Sequence, residues 1–321
     1  MRSFFLKNKL LAVYRDIGNL HFERTVVATG SFDGVHAGHR TLLRRVVDLA
    51  AQHQLRSVAL TFLPHPRQVL CKESDMPKLL NIPDEKIALL EQTGVDDVVV
   101  YPFDRDLALM PASDFVRTVI IEKLNAQYLV VGQDHHFGKG RDGNIKQLAE
   151  FASHSDLQIE VVDLKMHDRK ISSSAIREAL LCGDLTLANT MLGYAYLITG
   201  KVIAGNRLGR TIGFPTANIA TPDDKLLPKD GVYRVKVKLK TNNSKLNDYI
   251  GMLYIGKRTV LKKEDTTSQV EVHIFDFDGQ IYGQEIELAL THRIRDDISF
   301  GNFAQLADQL QRDKEKILST R

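Results

Sequence analysis

Two imidazoles lie three residues apart in Gly30-Ser31-Phe32-Asp33-Gly34-Val35-His36-Ala37-Gly38-His39. Gly30 and Gly34 let the backbone turn sharply and approach a ligand closely. His36 and His39 stand where an apolar strand gives way to a helical pattern. There they can join the positive end of a helix in stabilising a phosphate, with Phe32 and Asp33 beside them. A second run, Ile171-Ser172-Ser173-Ser174-Ala175-Ile176-Arg177, offers hydroxyls, the free N–H groups of a helix start and a guanidinium one turn on. Capping explains one serine. Ser173, Ser174 and Arg177 together could make a phosphate cradle.

The second half holds two more candidates. In Gly209-Arg210-Thr211-Ile212-Gly213-Phe214-Pro215-Thr216-Ala217-Asn218, Thr216 and Asn218 are two apart and share a face if the segment is extended. A hydroxyl and an amide oxygen are hard ligands suited to Mg²⁺ carrying ATP phosphates. The same run reads equally as a Gly/Pro turn entering an edge strand. In Val270-Glu271-Val272-His273-Ile274-Phe275, alternation sets Glu271 and His273 on the face opposite the aliphatic residues. A carboxylate on a rigid strand can act as general base for a hydroxyl. An exposed sheet face explains it as well until a partner is found.

Two other runs are rejected. Gly138-Lys139-Gly140-Arg141-Asp142-Gly143 spells GxGxxG, but charged and intervening residues separate it from the preceding strand. A dinucleotide fingerprint sits directly on the strand-to-helix turn. Gly205-Asn206-Arg207-Leu208-Gly209-Arg210-Thr211 has neither the spacing nor the lysine of a Walker A loop.

The elements that must position these groups follow from hydrophobic period. Strands are predicted over Thr25 to Thr29, Ser57 to Phe62, Asp97 to Tyr101, Tyr128 to Val131 and Leu157 to Val162. Helices are predicted over His39 to Gln52, Asp84 to Gln92, Ser113 to Leu124 and Gly143 to Ser153, with Asn81 or Asp84 as candidate N-cap. This alternation implies right-handed crossovers and a parallel sheet, with ligands beyond the carboxyl ends of the strands. Near Leu192-Gly193 the pattern changes to short strands over Tyr196 to Ile203, Gly231 to Leu239, Tyr249 to Ile255, Gln269 to Phe277 and Glu285 to Leu290. That spacing predicts a small antiparallel barrel, closed by a helix over Asn302 to Leu318. The domains expected are residues 1–190 and 191–321.

At 321 residues, with 43% apolar and 26% charged residues, the chain is ordinary globular material and long enough for two domains. A net charge of +3, spread without a Lys/Arg block, argues against a nucleic-acid partner. No run approaches the apolar length of a membrane span. The apolar stretch of the basic N-terminus is broken by Lys7 and Lys9, so it is not expected to be a signal peptide. Cys71 and Cys182, far apart, read as reduced thiols of a cytoplasmic protein.

Taken in order, the motifs resemble the bifunctional prokaryotic riboflavin kinase/FAD synthetase family from about Thr25 to the last helix. They are GSFDGVHAGH at 30–39, FLPHP at 62–66, GQDHHFGKGRDG at 132–143, ISSSAIR at 171–177, GFPTAN at 213–218, GVY at 231–233 and VEVHIFDF at 270–277. The resemblance implies an α/β N-terminal domain of the Rossmann-like nucleotidylyltransferase type with a parallel sheet. It implies a small riboflavin kinase-like antiparallel barrel after it. The barrel would phosphorylate riboflavin with ATP and Mg²⁺ to FMN, and the first domain would adenylylate FMN to FAD with release of pyrophosphate. His36 and His39 match the family's phosphate-contacting pair, and Ser173, Ser174 and Arg177 its second phosphate run. Asp134 falls in the loop associated with flavin and nucleotide. Thr216 and Asn218 match the Mg²⁺–ATP residues, within a turn that includes Gly209, Arg210, Gly213 and Pro215. Glu271 matches the base on the ribityl hydroxyl. Gly231 and Tyr233 match a flap over the nucleotide, and Arg293 to Arg295 with Phe300 the flavin-side closure.

Two positions depart from the family pattern. His135 stands where an aromatic usually follows the Asp, and Gly256-Lys257-Arg258-Thr259-Val260 lacks the usual proline. Two alternatives also remain. One is a flavin- or nucleotide-binding regulatory protein with one inactive half. The other is an adenylyltransferase for another phosphorylated acceptor, which leaves the barrel motifs unused.

Overall fold

The computed structural model describes residues 11–15, 18, 21–72, 75–133, 145–163, 165–166, 169–205, 208–240, 248–256 and 269–320. Asp134, His135 and residues 257–260, each singled out by the sequence, lie outside them. The chain divides into two compact units, Met1–Lys78 with Pro83–Ser172, and Leu79–Ile82 with Ser173–Arg321.

The first unit is built on six parallel strands: β1 (Ala12–Tyr14), β2 (Thr25–Thr29), β3 (Arg56–Leu63), β4 (Asp97–Pro102), β5 (Ala126–Gly132) and β6 (Gln158–Val162). Their order is β1-β4-β3-β2-β5-β6. The central strands are short unbroken apolar runs, such as Val26-Val27-Ala28 and Val58-Ala59-Leu60, because both faces are covered. Strands after β2 run outward through β3 and β4, then resume on its other side with β5. The order therefore reverses between β2 and β5, the kind of switch point at which open parallel sheets bind ligands beyond the carboxyl ends of their strands. The short edge strand β1 was not predicted. The helix expected over Ser113 to Leu124 is a short α-helix, Ala112–Phe115, running into a π-helix, Val116–Lys123. Its apolar side, with Val116, Val119 and Ile120, packs into the core beside Val27, Leu60 and Leu129. A two-stranded antiparallel sheet, β7 (Lys165–Met166) and β8 (Arg169–Lys170), follows β6.

The second unit is a closed antiparallel barrel of β9 (Tyr196–Ile203), β10 (Ala217–Ala220), β11 (Gly231–Lys240), β12 (Asp248–Gly256), β13 (Gln269–Ile274) and β14 (Glu285–Asp296). The circuit runs β10-β13-β12-β11-β14-β9 and back to β10. Period-two alternation puts Val235 and Val237 inside and Lys236 and Lys238 outside. β14 continues six residues past the predicted end, with register shifts near Val232/Tyr233 and Arg234/Val235 that bend its pairing to β11. The last helix, Phe303–Ser319, is N-capped by Asn302. It buries Ile317 against Phe214, Val232, Met252, Phe275 and Ile294.

Two helices, Ser173–Cys182 and Leu185–Leu192, group with the barrel rather than with the parallel sheet. Asn189 secures the second of them: its Nδ2 donates to Leu290 O at 2.9 Å, and its Oδ1 accepts from Tyr196 N at 2.9 Å. Leu79–Ile82 also joins this unit. Leu79 N donates to Asp224 O and Leu226 N to Leu79 O, while the buried Lys225 reaches Leu80 O at 2.7 Å. Asn81, with Asp84 one of two candidate helix caps, accepts from Tyr194 Oη at 3.2 Å.

Candidate functional site

Two constellations emerge, one in each unit. In the first, Gly30 N closes β2 onto Leu60 O at 3.0 Å, and the chain then turns through a tight loop. Phe32, Gly34 and Val35 all have left-handed backbone, with φ of 44°, 87° and 33°. For Phe32 and Val35 that conformation is costly. It is maintained by burying both side chains, and such strain gathers at working sites. The loop delivers His36 to the N-cap of the helix Ala37–His53. Its Nδ1 accepts from His39 N at 3.3 Å, which leaves the proton of the neutral ring on Nε2.

His36 and His39 are stacked, with centroids 3.6 Å apart and planes 15° from parallel. Phe32 meets His39 edge to face at 5.3 Å. Burial pushes the His36 pKa down to about 4, against the opposing pull of Asp33. Burial, His36 and Lys86 together hold His39 well below the usual imidazole range. Both shifts favour the neutral imidazole near pH 7, a form that can give and take hydrogen bonds. Asp33 is buried in the same loop. Thr29 Oγ1 and His39 Nδ1 are buried with no hydrogen-bond partner among the described residues. Polar atoms left so are what a bound ligand would satisfy.

Sequence reasoning missed Lys86. It sits on the helix Pro83–Glu91, only 4% exposed. The available signal was its spacing: Lys86 precedes Leu89 and Leu90 by three and four residues, on the apolar stripe where a lysine does not belong. The residues of FLPHP fall at the end of β3, where His65 caps the helix Pro66–Leu70 through Nδ1 and exchanges bonds with Gln68.

In the second unit, Ser173 and Ser174 open the helix Ser173–Cys182, and Arg177 lies one turn along it. The barrel constellation is tighter. β10 pairs with β13 so that Asn218 stands opposite Glu271. Thr216 Oγ1 donates to Glu271 Oε2 at 3.1 Å. Glu271 is 8% exposed and thus not on an open sheet face. The turn before β10 is clamped twice. Phe214 N donates to Gly209 O at 2.8 Å, and His273 Nδ1 donates to Pro215 O at 2.7 Å. Burial lowers the His273 pKa, so the ring is neutral and a single N–H suffices for that bond.

Glycine is required at two positions here. A Cβ on Gly209 would collide with Phe214 O, and one on Gly205 with the Asn218 carboxamide. Gly213 turns the chain with φ +81°, and Arg210 is exposed on the short helix Leu208–Thr211. Thr216 and Asn218, two apart at the start of β10, carry a hydroxyl and a carboxamide oxygen, hard donors of the kind that suits a Mg²⁺ carrying phosphates, and the absent side chain of Gly205 leaves room for the Asn218 carboxamide.

Tyr233 is wholly buried in β11, its hydroxyl donates to Lys229 O, and Arg293 Nε donates to the Tyr233 Oη at 3.4 Å. Gly231, with φ +154°, admits Arg295 O and the Arg293 guanidinium, where a Cβ would not fit. Arg295 Nε donates to the buried Asp313 at 2.8 Å, tying the last helix to β14, and its guanidinium lies 5.9 Å from the Phe300 ring centroid.

Residues 19–175 match the family model described as FAD synthetase, and residues 192–320 the one described as riboflavin kinase. A curated relative from Haemophilus influenzae, "bifunctional riboflavin kinase/FMN adenylyltransferase", is 39% identical over 89% of this chain and 91% of its own. A relative of the same description from Bacillus subtilis is 36% identical, over 92% of each chain. A solved chain from Streptococcus pneumoniae, described as a macrolide-efflux protein, superposes with a TM-score of 0.84 at 30% identity. That match covers 97% of this chain and 99% of the other. Efflux is said of that protein. Among the described residues here, no helix is long and apolar enough to cross a membrane.

Proposed function

The chain belongs to the bifunctional riboflavin kinase/FMN adenylyltransferase family, and we propose that it makes FMN and then FAD, one step in each half. The reading is carried by one observation: a stacked His36–His39 pair at a helix start and a buried Glu271 carboxylate that accepts from the Thr216 hydroxyl occur on the same chain. An adenylyltransferase for another acceptor leaves the second pair without a task. The functional division proposed is residues 1–190 for adenylylation and 191–321 for the kinase, in a cytoplasmic protein with riboflavin, FMN and ATP as its small-molecule partners.

In the kinase half, Glu271 takes the proton from the ribityl 5′-hydroxyl as its oxygen bonds to the γ-phosphorus of ATP and ADP departs. The Thr216 hydroxyl supports this by fixing one oxygen of the carboxylate, so that the base need not reorganise as the proton moves. Thr216 and Asn218 would hold Mg²⁺, which supplies charge for the ATP phosphates. Gly209, Arg210, Gly213 and Pro215 shape the nucleotide turn. Gly231, Tyr233 and Arg295 belong to the wall around it, and the buried bonds of Tyr233 and Arg295 favour a framing role.

In the adenylylation half, an FMN phosphate oxygen attacks the α-phosphorus of a second ATP, and the bond to pyrophosphate breaks. The nucleophile is already anionic, so no covalent enzyme intermediate and no base are needed. The residues align reactants and offset charge. His36 and His39 donate to phosphate oxygens from the loop formed by Gly30, Phe32, Asp33 and Gly34. Ser173, Ser174 and Arg177 add phosphate contacts, and Asp134 a flavin or nucleotide contact.

The test is direct. Purified protein incubated with riboflavin, ATP and Mg²⁺ is chromatographed for flavins. FMN followed by FAD is expected, and a folded protein that yields neither overturns the reading.

A further inference from the structure

The buried ammonium of Lys86 has no part in the chemistry above. Its Nζ donates to Phe62 O at 3.1 Å and to Ser31 O at 3.3 Å. Phe62 lies at the end of β3, and Ser31 just beyond β2, its neighbour in the sheet. One side chain therefore ties together the carboxyl ends of two central strands, at the mouth where open parallel sheets bind ligands.

Both acceptors are neutral carbonyls, so the ammonium keeps its whole charge. An ammonium taken out of water without a contact ion pair is expensive. The cost shows in its pKa, pushed down by burial to about 8 even though Asp33 pulls it upward. A methionine would fill the same space without that cost, so the charge itself requires an explanation. Its electrostatic neighbours are Asp33 and His39, one on the strained loop and the other on the helix that the loop starts.

We propose that Lys86 is a positioning residue for adenylylation, clamping the loop that carries Asp33 and His36 and holding a fixed positive charge beside it against the pyrophosphate that leaves. The inference rests on reading that loop as the adenylylation site. A fixed charge in a water-poor pocket acts most where charge develops, which is the transition state. Its loss should lower kcat more than it raises KM.

Three variants of the full chain test this, with FMN and ATP supplied. Lys86→Met keeps the bulk and removes charge and donors. Lys86→Gln keeps an N–H₂ for the carbonyls but no charge. Lys86→Arg keeps both. Expected is a fall in kcat for FAD formation of about 10–100-fold in the Met and Gln variants, from the size of single electrostatic contributions. The KM for ATP should move by less than about threefold, and the Arg variant should regain most of the rate. Riboflavin phosphorylation in the same samples should match the parent. The proposal is overturned if the folded Met or Gln variant keeps the parent kcat, or if Arg performs no better than Met. A Met and Gln pair that both fail to fold also counts against it, since a purely structural ammonium would behave so. Parent-rate FAD formation in the His36→Ala/His39→Ala protein would instead sink the reading of the loop itself.

Discussion

Thr216 and Glu271 are 55 positions apart in sequence, and the hydroxyl of one donates to the carboxylate of the other at 3.1 Å. The β10–β13 pairing makes this possible by setting Asn218 opposite Glu271. The His273–Pro215 bond then fixes the turn that delivers Thr216. A hydroxyl at the mouth of β10 and a carboxylate on β13 are thus joined, with Asn218 in register with the carboxylate.

Replacing Glu271 by Gln keeps the shape and removes the base. A positioned base contributes about 10²–10⁴-fold, so FMN formation should fall by that order. FAD formation from supplied FMN should stay close to the parent. Thr216→Val should cost the kinase about 10–100-fold through the lost hydrogen bond to a charged group, while Thr216→Ser retains most of the rate. Steady-state assays of the two reactions on each variant check both points. A folded Glu271→Gln protein that loses both reactions would contradict the assignment.

The His36→Ala/His39→Ala protein should do the reverse. Riboflavin is still phosphorylated and FMN accumulates, because no group of the Thr216–Glu271 constellation has changed. Chromatography of the flavins over time, alongside thermal melting, separates lost chemistry from lost fold.

The buried histidine and lysine make stability depend on pH with a definite sign. His36 has a pKa of about 4 when folded and 6.5 when free. Between those values the unfolded chain binds more protons, so stability rises with pH there. The stabilisation is complete above pH 6.5 and is lost as pH falls towards 4, on the order of 3 kcal/mol in all. Lys86, with about 8 folded against 10.5 free, acts with the same sign, adding stability as pH rises from 8 to 10.5. His36→Asn retains an N-cap oxygen for His39 N but cannot ionise. Its melting temperature should fall less than the parent's between pH 6.5 and 4. Equal acid sensitivity of the two proteins would show that His36 does not contribute.

A kinase fragment should begin at Ser173 and not at Gly193. The helices Ser173–Cys182 and Leu185–Leu192 bury Ile176, Leu180, Leu185 and Leu192 within this unit. Their loss would also strip Tyr196 N and Leu290 O of their Asn189 partners. Each buried aliphatic side chain is worth about 1.5–3 kcal/mol, so the shorter fragment should be markedly less stable. Urea unfolding and FMN production by the two fragments check this. Equal midpoints would mean that the helices are dispensable.

Much of this was legible in the residues alone. β2 and β9 have the predicted ends, because each is a run of mainly apolar and β-branched residues with clear turn or polar residues at its borders. Local spacing singled out the His36–His39 loop, whereas Thr216, Asn218 and Glu271 read equally well as a turn and an exposed sheet face, and only the family resemblance drew them together. Periodicity did not give the burial of Lys86, the capture of Leu79–Ile82 beside Lys225, the edge strand β1, or the enclosure of Tyr233. Nor did it give the two helices that join the barrel across the expected boundary at 190/191. Each of these depends on a partner remote in sequence: Ser31 and Phe62 for Lys86, Leu80 for Lys225, Asp97 for Ala12 and Arg293 for Tyr233. A residue's pattern tells which side faces inward. Which backbone carbonyl or guanidinium awaits it there is decided by the strand order and helix packing of the folded chain.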